Sequence, residues 1–214
     1  LVRPQLSENI GMTARAMDNF GLSKLSIVNP RDGWPSNKAK DTSKHGIKII
    51  TNAKIFNSLE EALTDYNLVI ATSNRKRFLT KETYNDFNIL KKNIYEQKKV
   101  AILFGPENSG LSNQELRLAN FIFTIPTANS NKSLNLSHAV TVLSHEIFNS
   151  NSVKDNPKNI MKSDRVTKLE LSNYLNFLIK DLNSNDFFIP IEKKESMINN
   201  IYSIYNKLDL TKKE

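Results

Sequence analysis

Short apolar runs rich in β-branched residues alternate along the chain with stretches of helical periodicity. The runs are KLSIV (24–28), IKII (47–50), NLVIAT (67–72), KVAILFG (99–105) and FIFTI (121–125). The opening LVRP reads as the end of a further strand. Apolar residues within the runs are continuous rather than alternating, the pattern of strands buried on both faces. Strands of this kind separated by helices predict an α/β fold, a parallel sheet flanked by helices.

The intervening segments carry helix signals. Ile10, Ala14, Met17 and Phe20 recur at helical spacing, as do Leu136, Val140, Leu143 and Ile147. Ser58 with Glu61, Ser112 with Glu115 and Thr167 with Glu170 each fit a capping box, in which hydroxyl and carboxylate satisfy free amides of the first turn. Gly21 and Gly46 stand where helices would end in a left-handed residue. Residues 1–150 therefore read as one α/β domain, and the polar, aperiodic residues 151–165 as a linker. Residues 166–214 read as a small helical extension. One helix carries Tyr174, Leu178 and Leu182, and another Ile198, Ile201, Tyr202, Tyr205 and Leu208. It stops at LTKKE without an end signal, so the natural chain is expected to continue.

Composition narrows the function. With no cysteine, disulfides and thiolate metal sites are excluded. No apolar run approaches the roughly 20 residues of a membrane span, and no export signal leads the chain, so no membrane association and a cytoplasmic location are expected. Thirty Lys and Arg against 22 Asp and Glu give a net charge of +8. That excess suits a polyanion such as nucleic acid, and it equally suits a lysine-rich surface.

In an open parallel sheet, ligand chemistry belongs at the carboxyl ends of the strands. Four loops fall there: ENIGMTAR, TSNRKR, GPENSGLS and PTANSNKSLNLS. None is a dinucleotide fingerprint or a phosphate-cradling P-loop, and neither HExxH nor GxSxG occurs, so no metal site is expected. His138 and His145 lie seven apart on a helix and read as packing or surface residues, and His45 as a helix C-terminal cation. Taken singly, each Asn, Ser, Glu and Arg of the four loops could be an ordinary turn or surface residue. Arg15 stands out because it lies at the margin of an apolar helix face with no acid three or four residues before it.

NIGMTARAMDNFG, FGPENSGLSNQEL and IPTANSNKSLNLSHAV resemble the three sequence motifs of the SpoU/TrmH branch of the SPOUT RNA methyltransferases. LSIVNP and ATSNRKR add to the likeness, and the helical C-terminal segment resembles the extension of the TrmJ type. The resemblance implies a homodimer whose α/β domain carries a C-terminal trefoil knot, a topology that ordinary connection rules would not propose. It implies binding of S-adenosyl-L-methionine and methylation of a ribose 2′-hydroxyl of RNA, with tRNA position 32 of the anticodon loop (cytidine or uridine) as the family's target. Ribosomal RNA is the alternative substrate within the class, and a catalytically silent RNA-binding module the alternative outside it. Carried over by motif, Arg15, Asn9, Glu107, Ser133 and Asn135 would be catalytic, with Asn9 expected to orient Arg15. The cofactor would lie against Thr72, Ser73, Asn74, Gly105, Pro106, Glu107, Ile125, Ser133, Leu134, Asn135 and Leu136. RNA would meet Arg15, Arg75, Lys76 and Arg77, and Arg15 could serve the partner subunit's cofactor.

Overall fold

A computed structural model describes residues 1–75, 81–97, 99–128, 130–152, 165–208 and 210–212. Helix α1 spans Ser7–Asn19, β1 Ser26–Val28, α2 Asn37–Ser43, α3 Ile47–Thr51, β2 Lys54–Phe56 and α4 Leu59–Leu63. Then come β3 (Leu68–Thr72), β4 (Thr83–Tyr84), α5 (Phe87–Glu96), β5 (Val100–Leu103), α6 (Asn113–Arg117), β6 (Phe121–Phe123) and α7 (Leu136–Ser152). Helices α8 (Lys168–Ser184) and α9 (Lys194–Lys207) form the C-terminal region.

All strand pairings among the named strands are parallel: β1 with β2, and β4, β6, β3 and β5 in that spatial order. Residues 1–3 join the two groups. The Val2 amide donates to the Phe104 carbonyl at 2.8 Å, and Arg3 N to Val28 O at 2.8 Å. The sheet thus reads β2, β1, residues 1–3, β5, β3, β6, β4. Both of its faces are buried, as continuous apolar strands require. Ile27, Ile70, Phe121 and Phe123 pack with Ile10, Ala14, Met17, Leu90, Leu136, Val140 and Leu143 on one face. Val28, Val69, Ala71 and Ile122 pack with Leu59, Leu63, Leu111 and Leu116 on the other.

Two expectations are corrected. IKII is a helix, α3, with Ile49 and Ile50 buried and Ile47 exposed. A four-residue run with three apolar positions cannot distinguish a buried strand from a buried helical turn; packing decides, and here the chain crosses α1 closely. A Cβ on Gly46 would lie 2.7 Å from the Ala14 backbone. Gly46 therefore serves as a close contact, not as a left-handed cap: Lys44, at φ +50°, takes the positive-φ position. Gly21 does end α1 with φ +68°. The strand expected near residue 48 lies just beyond, at β2, and the two-residue β4 carries no pattern long enough to read. The capping boxes of Ser112 and Thr167 are complete, whereas Ser58 caps α4 through its own hydroxyl.

Helices α8 and α9 bury Leu171, Leu175 and Tyr202 between them and against Leu118. They dock on the amino ends of the strands. Lys168 N donates to Tyr66 O at 2.9 Å, and the Asn67 side chain donates to the carbonyls of Arg165 and Val166. Asn120 donates to Asn206 O at 3.0 Å, and Asn206 donates to Arg117 O at 3.1 Å. The polar segment expected as a linker falls mostly outside the described residues.

Two lysines sit in this junction. Burial, helped by the charge of Lys81, lowers the Lys168 pKa to about 7, and burial with the charge of Lys207 lowers that of Lys81 to about 8. Lys168 donates to Asn206 Oδ1, and Lys81 to the carbonyls of Arg117 and Ala119. Between the folded value and the ordinary lysine value of 10.5, the unfolded chain holds the extra proton, so stability rises with pH across that window. Thermal unfolding should accordingly move to higher temperature from about pH 7 to about pH 9.5. Lys168→Met should reduce that slope, with Lys81 supplying what is left of it.

Candidate functional site

Helix α1 begins without a side-chain cap of its own, Leu6 being the N-cap residue. Glu107, in the loop after β5, supplies the missing acceptor from 101 residues away. Its carboxylate accepts from Gln5 N at 2.8 Å, Leu6 N at 3.3 Å and Asn9 Nδ2 at 2.8 Å. An anion at a helix N-terminus is also favoured by the helix dipole. Burial pushes the Glu107 pKa up, but the hydrogen bonds from Asn9, Gln5, its own amide and Leu6 outweigh it and hold the carboxyl below its ordinary value. Glu107 is thus ionised at neutral pH and fully occupied as an acceptor, which suits a clip better than a proton carrier.

Asn9, 2% exposed, passes the connection on. Its Oδ1 accepts from Asn135 Nδ2 at 3.0 Å, and Asn135 Oδ1 accepts from both the amide and the hydroxyl of Ser137, at 2.9 and 2.7 Å. Asn135 so opens α7 through an Asx turn. One hydrogen-bonded chain, Glu107 to Asn9 to Asn135, joins three loops that are distant in sequence. Ser137 was not expected in it, although an Asn two residues before a Ser at a helix start is a readable signal.

The other expected residues gather around this chain without entering it. Thr72 Oγ1 ties the end of β3 to Leu103 O at 2.7 Å. Ser73 N donates to Phe123 O, and Asn74 Nδ2 to Lys132 O. Gly105 is where the loop folds back on itself: a Cβ there would lie 2.4 Å from Leu111 N. Pro106 and Ile125 are buried, Leu136 starts α7 within the core, and Leu134 and Ser133 are exposed. Three of the four expected loops, in their described residues, gather at the carboxyl ends of the strands; the fourth segment, ENIGMTAR, is not a loop but lies within α1, whose first turn meets them through Glu107 and Asn9.

Arg15 is separate. It is exposed and makes no hydrogen bond or ion pair among the described residues. Six residues beyond Asn9, it points about 120° away around α1 and lies about 9 Å along it. Asn9 therefore does not orient Arg15; its amide is spent on Glu107 and Asn135. Arg75 donates to Asn108 O at 2.6 Å, whereas Lys76 and Arg77 lie outside the described residues. His145 packs edge-to-face on Phe20, as a packing histidine does. Among the described residues no helix is long and apolar enough to cross a membrane, and no group of three acids or histidines could hold a metal. A cavity of ≈ 270 Å³ lies elsewhere, between α4, α8 and α9, at the opposite edge of the sheet.

The model of the SpoU rRNA Methylase family matches residues 1–145. The chain belongs to that family. It is 36% identical over 151 residues to the tRNA (cytidine-2′-O-)-methyltransferase TrmJ of Methanocaldococcus jannaschii, covering 69% of this chain and 65% of that one. This SpoU-family chain thus spans just under two thirds of the archaeal protein's length. It is 30% identical over 217 residues to an uncharacterized tRNA/rRNA methyltransferase of Haemophilus influenzae, covering 100% of this chain and 88% of that one. The crystal structure of TrmJ from Z. mobilis ZM4 superposes with a TM-score of 0.89 at 34% identity, covering 99% of this chain and 91% of that one. The parallel sheet flanked by helices, with a helical C-terminal region, is the fold that the SpoU motifs led one to expect.

Glu107→Gln keeps the shape of the clip and removes its charge. The loss of stability at neutral pH should be on the order of 2 kcal/mol, as for a lost hydrogen bond to a charged group. Because a depressed carboxyl stabilises above its unfolded pKa and loses that contribution as the pH falls through its folded one, the variant's unfolding midpoint should depend less on pH below the ordinary value of 4.5. Chemical denaturation at pH 7 and pH 4 measures both effects.

Proposed function

We propose that this chain transfers a methyl group from S-adenosyl-L-methionine to a ribose 2′-hydroxyl of tRNA, at anticodon-loop position 32. The observation that carries the reading is the Glu107–Asn9–Asn135 chain, which ties the three family motifs together at the carboxyl ends of the strands while leaving Arg15 exposed and unpartnered among the described residues. The residues present suit the cofactor: backbone groups at 105–109 and 133–135 offer hydrogen bonds, and Leu134 and Ile125 offer apolar surface for a purine. When bound, it supplies an electrophilic methyl on a sulfonium, which passes to the ribose oxygen as the hydroxyl loses its proton.

The protein's task is position and electrostatics. A guanidinium has no free lone pair near neutral pH, so Arg15 does not act as a base. It grips the phosphate beside the target ribose and steadies negative charge as it develops on the oxygen, with its planar fork fixing the geometry. The outward direction of Arg15, with Met12 exposed three residues before it on the same helix, supports a homodimer in which Arg15 serves the partner's cofactor. Arg75, Lys76 and Arg77 contact RNA phosphates, which position the RNA without reading sequence. The trefoil threading of residues 105–135 and a cytoplasmic location belong to the same reading. A ribosomal RNA substrate is the second reading, favoured by the description of the matching family.

Incubation with labelled S-adenosyl-L-methionine and unmodified total tRNA, followed by nuclease digestion and mass spectrometry, should give a 2′-O-methyl mark. The mark should vanish in Arg15→Ala. Transfer to ribosomal RNA and not to tRNA would establish the second reading. Arg15→Lys keeps charge but loses the fork, and its turnover should fall by about two orders of magnitude, in the range of other removed charge-stabilising contacts; wild-type turnover would defeat the role given to Arg15.

A further inference from the structure

Strand β3 lies between β5 and β6, and the four residues that end it bond in sequence to four different segments. Thr72 Oγ1 reaches Leu103 O at 2.7 Å. Ser73 N reaches Phe123 O at 3.2 Å, and Ser73 O accepts from Thr124 Oγ1 at 2.7 Å. These bonds fasten the segment to the ends of β5 and β6. The next two residues use side chains that diverge. Asn74 donates to Lys132 O, in the loop before α7, and Arg75 Nη2 donates to Asn108 O at 2.6 Å, in the loop after β5.

The turn that Arg75 reaches is built on Gly110, whose φ of +63° is a conformation that L side chains rarely adopt. Arg75 N also donates to Ser73 Oγ at 3.2 Å, which turns the backbone so that the two side chains part. Within the loop after β5, Gly110 N closes onto Pro106 O at 2.8 Å. Asn108 lies inside that closed turn, so a bond to its carbonyl fixes the turn as a unit.

We propose that Asn74 and Arg75 are a two-armed clasp that sets the spacing of the two loops, and that Arg75 is a positioning residue for the cofactor in addition to its phosphate contact. This inference rests on the cofactor reading of the site. Loops held in place before binding lose less conformational entropy when the ligand arrives, so Arg75 raises cofactor affinity without touching the cofactor. The guanidinium suits both tasks. One Nη donates to the Asn108 carbonyl, and among the described residues its other donors make no hydrogen bond, which leaves them for phosphate. A lysine ammonium is a point charge without that fork, and would keep the phosphate contact but not the clasp.

The test is calorimetry of the unreactive product S-adenosylhomocysteine, without RNA, on wild type, Arg75→Met and Arg75→Lys, alongside RNA binding by the same proteins. Both variants should bind S-adenosylhomocysteine about tenfold more weakly with unaltered thermal unfolding, and the lysine variant alone should retain RNA affinity. Hydrogen exchange on the ligand-free proteins should show faster exchange at 105–110 and 130–135 in Arg75→Met. Wild-type affinity for S-adenosylhomocysteine in both variants, with RNA binding reduced in Arg75→Met, would leave Arg75 a phosphate contact only and overturn the clasp. If wild type itself does not bind S-adenosylhomocysteine, the cofactor reading falls and takes the clasp with it.

Discussion

An ionised carboxylate held at the start of α1 governs the arrangement of this site. Glu107 replaces the cap that Leu6 cannot provide, and it does so from the loop after β5. The helix that presents Arg15 is thereby registered against a loop that follows the central strands. Through Asn9 and Asn135 the same registration reaches the start of α7. Burial disfavours the charge and four donors favour it; the donors win, so the clip stays closed at neutral pH. An acid in such a position is costly to remove, because the buried Asn9 amide would lose its acceptor and the first turn of α1 its cap.

The two ends of the sheet have different work. At the carboxyl ends, polar loops lie open on tight backbone turns such as Gly105 and Gly110. At the amino ends, α8 and α9 seal β3 and β6 with apolar contacts and with the bonds of Asn67, Asn120 and Asn206. The helical region therefore does not line the loop cluster. It closes the sheet from behind, and it brings Lys81 and Lys168 into surroundings where their charge is disfavoured.

Arg15 follows from the same geometry. A helix pinned at its first turn projects its later residues in fixed directions, and Arg15 falls on the outward side, a third of a turn from Asn9. A cation there costs little to keep, since water solvates it.

The sequence by itself determined β1, β3, β5 and β6 as strands of a two-sided parallel sheet, because continuous apolar runs such as 67–72 leave no polar face for solvent, whereas β2 and β4 carry no such run. It showed the starts of α4, α6 and α8, since capping at Ser58, Ser112 and Thr167 is a local hydrogen-bond pattern, and through three ordered motifs it pointed to Asn9, Glu107 and Asn135, which the fold brings together. Tertiary structure alone decided that IKII is helical, because a four-residue run has no period of its own and Gly46 must pass against Ala14. It alone decided the division of labour among the motif residues. Glu107 and Asn9 are 98 positions apart, and no local pattern states that they bond to each other and not to Arg15. The same holds for Arg75, whose charge in a basic turn reads as a phosphate contact until folding places the Asn108 carbonyl within 2.6 Å of it.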